Sequence, residues 1–432
     1  MKVCVLGLWH LGTVTAACLA SGGHHVTGLD FDETVINKLK KGRPPLFEPG
    51  LEDLVKRGLE TGALDFSTNS ADALRGAQVI WVAYDTPVDD DDNADVDYVI
   101  ERVSCFFPYL ESGQEVLISS QLPVGTSKTL EAMFTGARPD VSVSFSYSPE
   151  NLRLGKAISV FTQPDRVVIG IRSEKSRRVF VELLAPFTDH IEWMSVESAE
   201  MTKHALNAFL ATSVTFINEI AALCEQVGAD AKEVERGLKS ETRIGPKAYL
   251  GPGGAFAGGT LARDIAFLTK LGLQHDLPIR LVSAVRASND AHKGWPRRRL
   301  VQLLGDLKDK NIAVWGLTYK AGTDTLRRSS AIELCQWLLE QGAKVQAHDP
   351  AVKSLPEQYA AILLRASPME AAQGADALVI ATEWTDYLKV SMPEIVATMR
   401  TPVVVDANRF LAASLENLPG VTYAAVGKAI KL

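Results

Sequence analysis

The chain has 432 residues, of which 46% are hydrophobic and 22% are charged, with a formal net charge of −7. This composition is ordinary for a globular protein and argues against disorder. A net negative charge gives no general electrostatic reason to bind nucleic acid or an anionic membrane, so we expect neither as a partner. Any anionic ligand must therefore be held by local positive or hydrogen-bonding groups. The length of the chain predicts two or three domains.

The first elements along the chain are typical of a βαβ unit. Residues 2–6 read as an apolar strand, 7–12 as a turn, 13–20 as a small-residue helix and 25–30 as a second strand. Further apolar strands are predicted at 79–83, 115–119 and 167–169. We therefore predict a doubly wound parallel sheet to about residue 190, in a domain of residues 1–194.

The middle of the chain changes pattern. Residues 199–228 carry apolar side chains at a spacing of three and four, with no strand pattern, which predicts one long spine helix. We assign it to an all-helical domain of residues 195–296. Because such a spine helix is apolar on both sides, we expect it to pair with its copy, giving a homodimer.

The βα rhythm then returns. A helix is predicted at 329–342, and strands within 311–319, 344–350, 375–384 and 401–408. Residues 297–432 therefore form a second, smaller doubly wound domain. The predicted fold class is α/β, with two doubly wound (Rossmann-like) domains joined by a central all-helical region.

The cysteines and the apolar segments indicate in which cellular compartment the protein is expected. The five cysteines are scattered and have no paired spacing, which favours reduced structural thiols and a cytoplasmic location. No apolar run approaches the roughly 20 residues that span a bilayer, and the apolar N-terminus continues into a glycine turn. We expect a soluble protein.

The first glycine turn is typical of a dinucleotide site. Gly7 to Gly12 follow the first strand and open a helix whose N-terminus can hold a pyrophosphate. Asp30 ends the second strand, where an acidic residue takes a ribose 2′-hydroxyl and disfavours a 2′-phosphate, so we predict NAD. Trp9 replaces the middle glycine; it could tilt or cover the pyrophosphate, or mark a lost site, and a merely structural turn is the alternative.

Several further segments follow one another in a fixed order. They are GRPP and FEPGL at 42–45 and 47–51, DTP at 85–87, PVGT at 123–126, SPENLR at 148–153, PDRVVIG at 164–170, EMTK at 200–203, NAFL at 207–210, NE at 218–219, GLTYK at 316–320, TD at 323–324 with Arg327, HDP at 348–350 and TEW at 382–384. Together they resemble the UDP-glucose/GDP-mannose dehydrogenase family along nearly the whole chain.

The resemblance implies an NAD-linked oxidation of a nucleotide-sugar C6 alcohol to a carboxylate, in two hydride transfers, for polysaccharide or secondary-metabolite synthesis. Implied cofactor-binding residues are Gly7, Trp9, His10, Leu11, Gly12, Asp30, Thr86, Pro87, Gln121 and Arg327. Implied substrate-binding residues are Glu150, Leu152, Arg153, Lys203, Asn207, Arg243, Phe256, Gly258, Tyr319 and Lys320. Arg243 would reach the substrate of a neighbouring subunit. Implied catalytic residues are Lys203, Asn207, Glu150, Asp264 and Thr260.

The segment GGAFAGGTLARD at 253–264 departs from this pattern. In the family a cysteine in this segment captures the intermediate aldehyde as a thiohemiacetal, and Thr260 occupies its position here. A threonine hydroxyl needs a dedicated base, so we do not expect covalent capture. Gln121, Leu154 and Arg263 also depart from the family residues, so the product stays open between aldehyde and carboxylate.

Each functional assignment has a plainer alternative. Lys203, at i, i+4 from Asn207, is a candidate general base or oxyanion partner, or else a surface lysine. Glu150 is a retained carboxylate or a cap, and Asp264 orients water or Lys203, or is an N-cap. Arg243 is a candidate ligand-binding group or else an ordinary loop arginine. The acidic run 89–92 is a solvated loop, because nothing completes a metal site there, and we predict no metal.

Three functions remain open from the sequence. The first is an NAD-dependent nucleotide-sugar dehydrogenase with an atypical active site. The second is a non-catalytic or regulatory homologue that binds a nucleotide sugar. The third is an NAD-dependent dehydrogenase acting on a different alcohol.

Overall fold

The computed structural model describes residues 1–89, 94–257 and 259–430. The chain forms two compact units, Met1–Leu206 and Asn207–Leu432, which are described separately below. The domain boundaries predicted at 194/195 and 296/297 stay predictions.

The first unit is built on an eight-stranded sheet. Its strands are β1 Lys2–Leu6, β2 His25–Leu29, β3 Leu64–Ser67, β4 Val79–Val82, β5 Glu115–Ile118, β6 Ser144–Tyr147, β7 Val167–Gly170 and β8 Ile191–Met194. They lie in the order β3-β2-β1-β4-β5-β6-β7-β8, and every pair is parallel except β6 with β7. This is the doubly wound sheet that the sequence predicts.

Helices cover both faces of this sheet. They are α1 His10–Ser21, α2 Glu33–Leu39, α3 Leu51–Thr61, α4 Ser70–Leu74, α5 Val96–Ser104, α6 Thr126–Ala137, α7 Ala157–Thr162 and α8 Glu174–Leu184. Two separate apolar cores result, one beneath α1, α3, α7 and α8 and the other beneath α5 and α6. Helix α1 begins at His10, three residues earlier than predicted. Its residues 11–20 are all buried, because their small side chains let the helix lie close against the sheet.

The spine helix α9 spans Val196–Val227. In the described part of the chain it is the one helix with the length and apolar composition to cross a membrane. It also carries buried polar side chains, among them Glu200, Lys203 and His204. Each of these makes a hydrogen bond to backbone of its own unit, as expected for a helix that packs inside a protein.

The second unit has further helices and a smaller sheet. The helices are α10 Ala231–Ser240, α11 Thr260–Gln274, α12 Arg280–Lys293, α13 Trp295–Leu304, α14 Ser330–Glu340, α15 Pro368–Ala372, α16 Met392–Thr398 and α17 Ala412–Leu415. The strands are β9 Asn311–Trp315, β10 Lys344–His348, β11 Leu363–Leu364, β12 Ala377–Ile380, β13 Val403–Asp406 and β14 Thr422–Ala424. All six are parallel, in the order β11-β10-β9-β12-β13-β14. The predicted fold class is confirmed.

Candidate active site

A cavity of about 620 Å³ opens at the carboxyl ends of β1, β2 and β4. Ligands bind at this edge in doubly wound sheets, because the loops there diverge. Of the residues predicted to bind the cofactor, Gly7, Trp9, Asp30 and Pro87 line the cavity. His10, Leu11 and Gly12 instead form the first turn of α1, and the Thr86 hydroxyl donates to the Gln121 carbonyl at 2.8 Å.

The backbone of the glycine turn fits a dinucleotide. Gly7 has a φ of +85°, and a Cβ placed on Gly12 would lie 1.7 Å from the Gly7 carbonyl oxygen, so only glycine lets this turn close so tightly. The N-cap residue of α1, Trp9, makes no side-chain cap hydrogen bond, and the first turn has no acidic residue. The first-turn N–H groups are therefore suited to an anion.

Asp30 is placed to recognise a ribose. Its Oδ2 accepts the Leu8 N–H at 2.7 Å, and its Oδ1 accepts the Asp32 N–H at 3.1 Å. Because each carboxylate oxygen can accept two hydrogen bonds, capacity for ribose hydroxyls remains. The indole of Trp9 is 46% exposed, so it borders the cavity without being buried in the turn. The residues present therefore fit NAD.

The cavity is also lined by residues that were not predicted from the sequence. The Arg102 guanidinium lies 5.3 Å from the ring centroid of Phe31 and 5.1 Å from that of Tyr98, and all three residues line the cavity. Phe31 also stacks on the buried Phe106. Phe31 directly follows Asp30, which was the available signal, whereas Tyr98 and Arg102 come from α5, about seventy residues away.

A carboxylate and a lysine lie together at the edge of the same unit. The Lys203 ammonium donates to the backbone carbonyl of Glu150, and a carboxylate oxygen of Glu150 accepts the Leu152 N–H. Lys203 is only 6% exposed, so it is not a surface lysine. Burial raises the pKa of Glu150, while the nearby positive charge of Lys203 acts in the opposite direction. Arg153 is exposed beside them.

Two other side chains of α9 fix the loop that carries Gln121. The Glu200 carboxylate accepts the N–H groups of Gly125 at 2.7 Å and Ser127 at 3.0 Å, which caps the start of α6. The His204 ring is 2.9 Å from the Leu122 carbonyl. Glu200 and His204 were not identified as functional from the sequence; the signal was charge within an otherwise apolar helix.

In the second unit, Asn207 and Asp264 form a buried pair. The Asn207 side-chain amide donates to a carboxylate oxygen of Asp264, and the two residues are 5% and 0% exposed. Asp264 lies one turn inside α11, whose N-cap is Gly259, so the interpretation of Asp264 as an N-cap is wrong. Thr260 is the first residue of α11 and is exposed.

The glycine-rich loop before α11 is held by side chains from three parts of the second unit. Asn218 bonds both the Gly253 N–H and the Gly254 carbonyl, and Asn289 bonds both backbone groups of Phe256. His292 contacts the Gly253 carbonyl at 2.8 Å, and Asn408 accepts the Gly254 N–H at 2.6 Å. These bonds fix the backbone of the first part of the loop, residues 253–256.

The same loop borders a second cavity of about 610 Å³, at the carboxyl ends of β9, β12 and β13. Tyr319 and Lys320, predicted to bind substrate, line it, as do Gly254 and Ala257. Phe256 does not line this cavity. Its backbone is held by Asn289 instead.

Two predicted residues lie elsewhere. Arg243 is exposed and pairs with Glu241 at 3.0 Å, and it lines neither cavity; its role stays a prediction. Arg327 is exposed in the second unit, and its cofactor contact also stays a prediction. Gly258 lies outside the described residues, as do residues 90–92 of the acidic run.

No thiol is available near Thr260 in the sequence, since the chain has no cysteine between positions 224 and 335. Cys4, Cys18, Cys224 and Cys335 are buried, and Cys105 is exposed at the end of α5. Burial raises the pKa of Cys18 and of Cys335 to about 12, so both are inert thiols near neutral pH. Across the described residues, no three His, Cys, Asp or Glu side chains are grouped as metal ligands.

Comparison with known proteins covers both units. Three models of the UDP-glucose/GDP-mannose dehydrogenase family match in succession: the NAD binding domain at residues 1–188, the central domain at 197–291 and the UDP binding domain at 313–413.

Individual proteins match over the full length. The UDP-glucose 6-dehydrogenase of Rhizobium meliloti (strain 1021) is 36% identical over 99% of this chain and 100% of its own length. That of Pseudomonas aeruginosa strain PAO1 is 33% identical over 99% and 98%. The solved UDP-glucose dehydrogenase from the archaeon Pyrobaculum islandicum is 29% identical, with a TM-score of 0.87 over 99% of this chain and 98% of that one.

Proposed function

The chain belongs to the UDP-glucose/GDP-mannose dehydrogenase family, and we propose that it oxidises the C6 alcohol of a UDP-hexose, with UDP-glucose as the first candidate, to the aldehyde. As a member of this family it is an NAD-dependent dehydrogenase that acts on the CH–OH group of a nucleotide sugar. The sequence predictions of the family, the cofactor and the enzyme class are thereby confirmed.

The observation that carries the proposal is the buried polar stretch of α9. Lys203 and Asn207 lie one helical turn apart, and each bonds a carboxylate-bearing residue of its own unit, Glu150 and Asp264 respectively. Burying such groups is costly even when they are hydrogen-bonded, and a protein that only bound a nucleotide sugar would not need them. We assign the removal of the alcohol proton to Lys203 or to a water molecule held by Asn207 and Asp264.

NAD, when bound, accepts the hydride from C6, so that R–CH₂OH and NAD⁺ give R–CHO, NADH and H⁺. The chain's own groups bind the two substrates and take the proton. In our proposal the Lys203 side chain, held by the Glu150 carbonyl, faces the alcohol oxygen, either as the base that takes its proton or as the ammonium that stabilises the developing alkoxide while water takes the proton. Asn207, fixed by Asp264, supplies an amide donor for the negative charge that develops in the transition state.

Thr260 supports the proposal that the reaction ends at the aldehyde. A second hydride can leave only from a tetrahedral carbon that carries an added nucleophile, either a protein group or water. Thr260 is exposed at the first position of α11, and its hydroxyl is a poor nucleophile without a base. Asp264 on the next turn is already committed to Asn207. The chain thus offers no efficient nucleophile for the aldehyde at this position.

The test is the yield of NADH from limiting UDP-glucose, with the product identified by mass spectrometry. We expect one NADH and an aldehyde from the unaltered protein, and a second NADH from Thr260→Cys, because a thiol is partly ionised near neutral pH. Thr260→Ser is the matched control and should stay at one NADH. Two NADH and an acid from the unaltered protein would refute the aldehyde endpoint. No NADH with any UDP-sugar, while NAD still binds, would refute the substrate class.

We also propose that the protein is a homodimer formed through α9. Phe209, Phe216 and Leu223 recur every seven residues on this helix and are 69%, 47% and 62% exposed, and Val227 extends the stripe at 76%. Such an apolar stripe is typical of a surface covered by a second helix. Phe216→Asp should yield a monomer in light scattering, whereas Leu388→Asp, an exposed apolar residue of the second sheet domain, should not. If Phe216→Asp has the same mass in light scattering as the unaltered dimer, this surface of α9 is excluded as the dimer interface.

A reducing, cytoplasmic location is the third part of the proposal. All five cysteines are free thiols and four are buried, which suits a compartment that keeps thiols reduced. We keep the domain division 1–194, 195–296 and 297–432 within the same proposal.

A further inference from the structure

The glycine turn at the cofactor cavity contains a histidine with a buried partner. His10 is the first residue of α1, and its Nε2 lies 2.9 Å from an oxygen of Glu48. The side chain of Glu48 is 1% exposed and that of His10 is 15% exposed. A carboxylate buried to this degree needs strong donors, because an unpaired buried charge is costly.

The other donors to Glu48 come from a distant segment of the same unit. The Gly155 N–H donates to the oxygen that also contacts His10, and the Ala157 N–H donates to the second oxygen, both at 2.8 Å. Ala157 is the first residue of α7. Glu48 therefore joins the first turn of α1 to the start of α7 through one carboxylate.

The segment that ends at this carboxylate carries the substrate-side residues. Residues 150–156, here called the 150s loop, include Glu150, Leu152 and Arg153, and the side chains from Arg153 to Lys156 are exposed. The loop is held at its start by the Lys203 bond to the Glu150 carbonyl and at its end by Glu48. An exposed loop held at its two ends has low local stability, so each anchor matters.

We propose that His10 is a positioning residue that, through Glu48, couples NAD binding at α1 to the order of the 150s loop. The first-turn N–H groups of α1 that suit the pyrophosphate belong to the same turn as His10. NAD binding immobilises that turn, the turn immobilises Glu48, and Glu48 immobilises the end of the 150s loop. A nucleotide sugar that binds afterwards loses less conformational entropy and binds more tightly. The inference rests on the proposed function for the identity of the second ligand.

The matched variants are His10→Gln and His10→Asn. A glutamine amide nitrogen occupies nearly the position of histidine Nε2 and can still donate to Glu48, whereas an asparagine amide occupies the position of Nδ1 and falls short. His25→Asn, at the exposed first residue of β2, controls for the loss of a histidine. Thermal unfolding verifies that each variant is folded.

The first measurement is hydrogen exchange of the backbone amides of residues 151–157, with and without NADH. NADH should slow this exchange in the unaltered protein, His10→Gln and His25→Asn, and should leave it unchanged in His10→Asn. The second is calorimetry of UDP-glucose binding. Saturating NADH should tighten binding about fivefold or more in the first three proteins, and by less than twofold in His10→Asn.

Each outcome decides the inference. Equal protection by NADH in His10→Asn and the unaltered protein would overturn it, as would the absence of any NADH effect in the unaltered protein. The hydrogen-exchange experiment needs only NADH. If UDP-glucose does not bind, that result counts against the proposed substrate, and the hydrogen-exchange result still decides whether His10 couples NAD binding to the 150s loop. Failure of NADH itself to bind would overturn both.

Discussion

Replacement of Asp30 by Asn should weaken NAD binding and relax the exclusion of NADP. In the structure the Asp30 carboxylate accepts the Leu8 N–H at 2.7 Å and the Asp32 N–H at 3.1 Å, so it is oriented before any ligand arrives. An asparagine keeps one oxygen for the Leu8 N–H and replaces the other by an NH₂ group. The variant therefore loses the negative charge and the oxygen that accepts the Asp32 N–H, while the oxygen that holds the Leu8 N–H remains.

The magnitude follows from the hydrogen bonds at stake. A bond from a ribose hydroxyl to a carboxylate contributes about 1.5–3 kcal/mol, and loss of the acceptor and the charge removes about that amount, which is roughly 10- to 150-fold in Kd. For NADP the change has the opposite sign. A phosphate charge about 4 Å from a carboxylate is repelled by about 4 kcal/mol per charge pair at an effective dielectric constant near 20, and this repulsion disappears in Asp30→Asn.

The assay is calorimetric titration of each protein with NAD and with NADP, and the matched control is Asp32→Asn. Asp32 lines the same cavity, but its carboxylate caps α2 through the N–H groups of Thr34 and Val35, and asparagine caps a helix equally well. Asp32→Asn should therefore bind NAD within about threefold of the unaltered protein. Equal losses in the two variants, or an unchanged preference for NAD in Asp30→Asn, would refute the assignment of Asp30 to the ribose.

Three further outcomes are expected. Glu200→Leu should lower the free energy of unfolding by about 2–5 kcal/mol in urea titrations, because the buried Ser127 N–H and the partly buried Gly125 N–H lose their acceptor. Glu200→Gln should lower it by about half as much. Glu197→Gln, which removes only an exposed ion pair, should cost under about 1 kcal/mol. Burial raises the pKa of Glu150 above its ordinary 4.5, so the folded state holds this proton more tightly than the unfolded state does. The resulting contribution to the free energy of unfolding is complete below pH 4.5 and is lost as the pH rises through the raised pKa. Glu150→Gln lacks this titration, so its free energy of unfolding minus that of the unaltered protein should increase as the pH rises above 4.5. A difference that stays constant with pH would contradict this. Asn207→Leu should reduce kcat at least tenfold with a smaller change in KM, in steady-state assays of NADH formation, because it removes a donor that acts in the transition state; a change confined to KM would assign Asn207 to ground-state binding.

The fold was predictable because most of its strands are short, continuous apolar runs, typical of strands buried on both faces. The strands that were not predicted lack such a run. Leu64–Ser67, Ser144–Tyr147 and Ile191–Met194 alternate apolar and polar residues over only three or four positions. Such segments are fixed by pairing with a neighbouring strand, which a local pattern does not contain.

The candidate site was predictable only in part, for a related reason. Residue types within a motif, such as Gly7 and Asp30, can be recognised because their chemistry depends on local backbone. Glu48 and Glu200 accept hydrogen bonds from backbone N–H groups that are 73 to 109 residues away in the sequence. No sequence spacing connects these groups with the two glutamates. FEPGL was recognised as a motif, yet the role of its glutamate becomes visible only when α1 and α7 are seen to share it.

Within the first unit, α9 determines where the loops of the site lie. Glu200, Lys203 and His204 span little more than one helical turn and hold two loops. Glu200 and His204 bond the loop that runs from Gln121 to the start of α6, and Lys203 bonds the 150s loop. Because all three side chains lie on one short stretch of rigid helix, the distances between those loops are set by helical geometry rather than by the loops themselves. Small displacements of catalytic groups carry large rate penalties. A rigid helix that anchors both the Gln121 loop and the Glu150 loop is therefore a means of keeping the cofactor side and the substrate side in register.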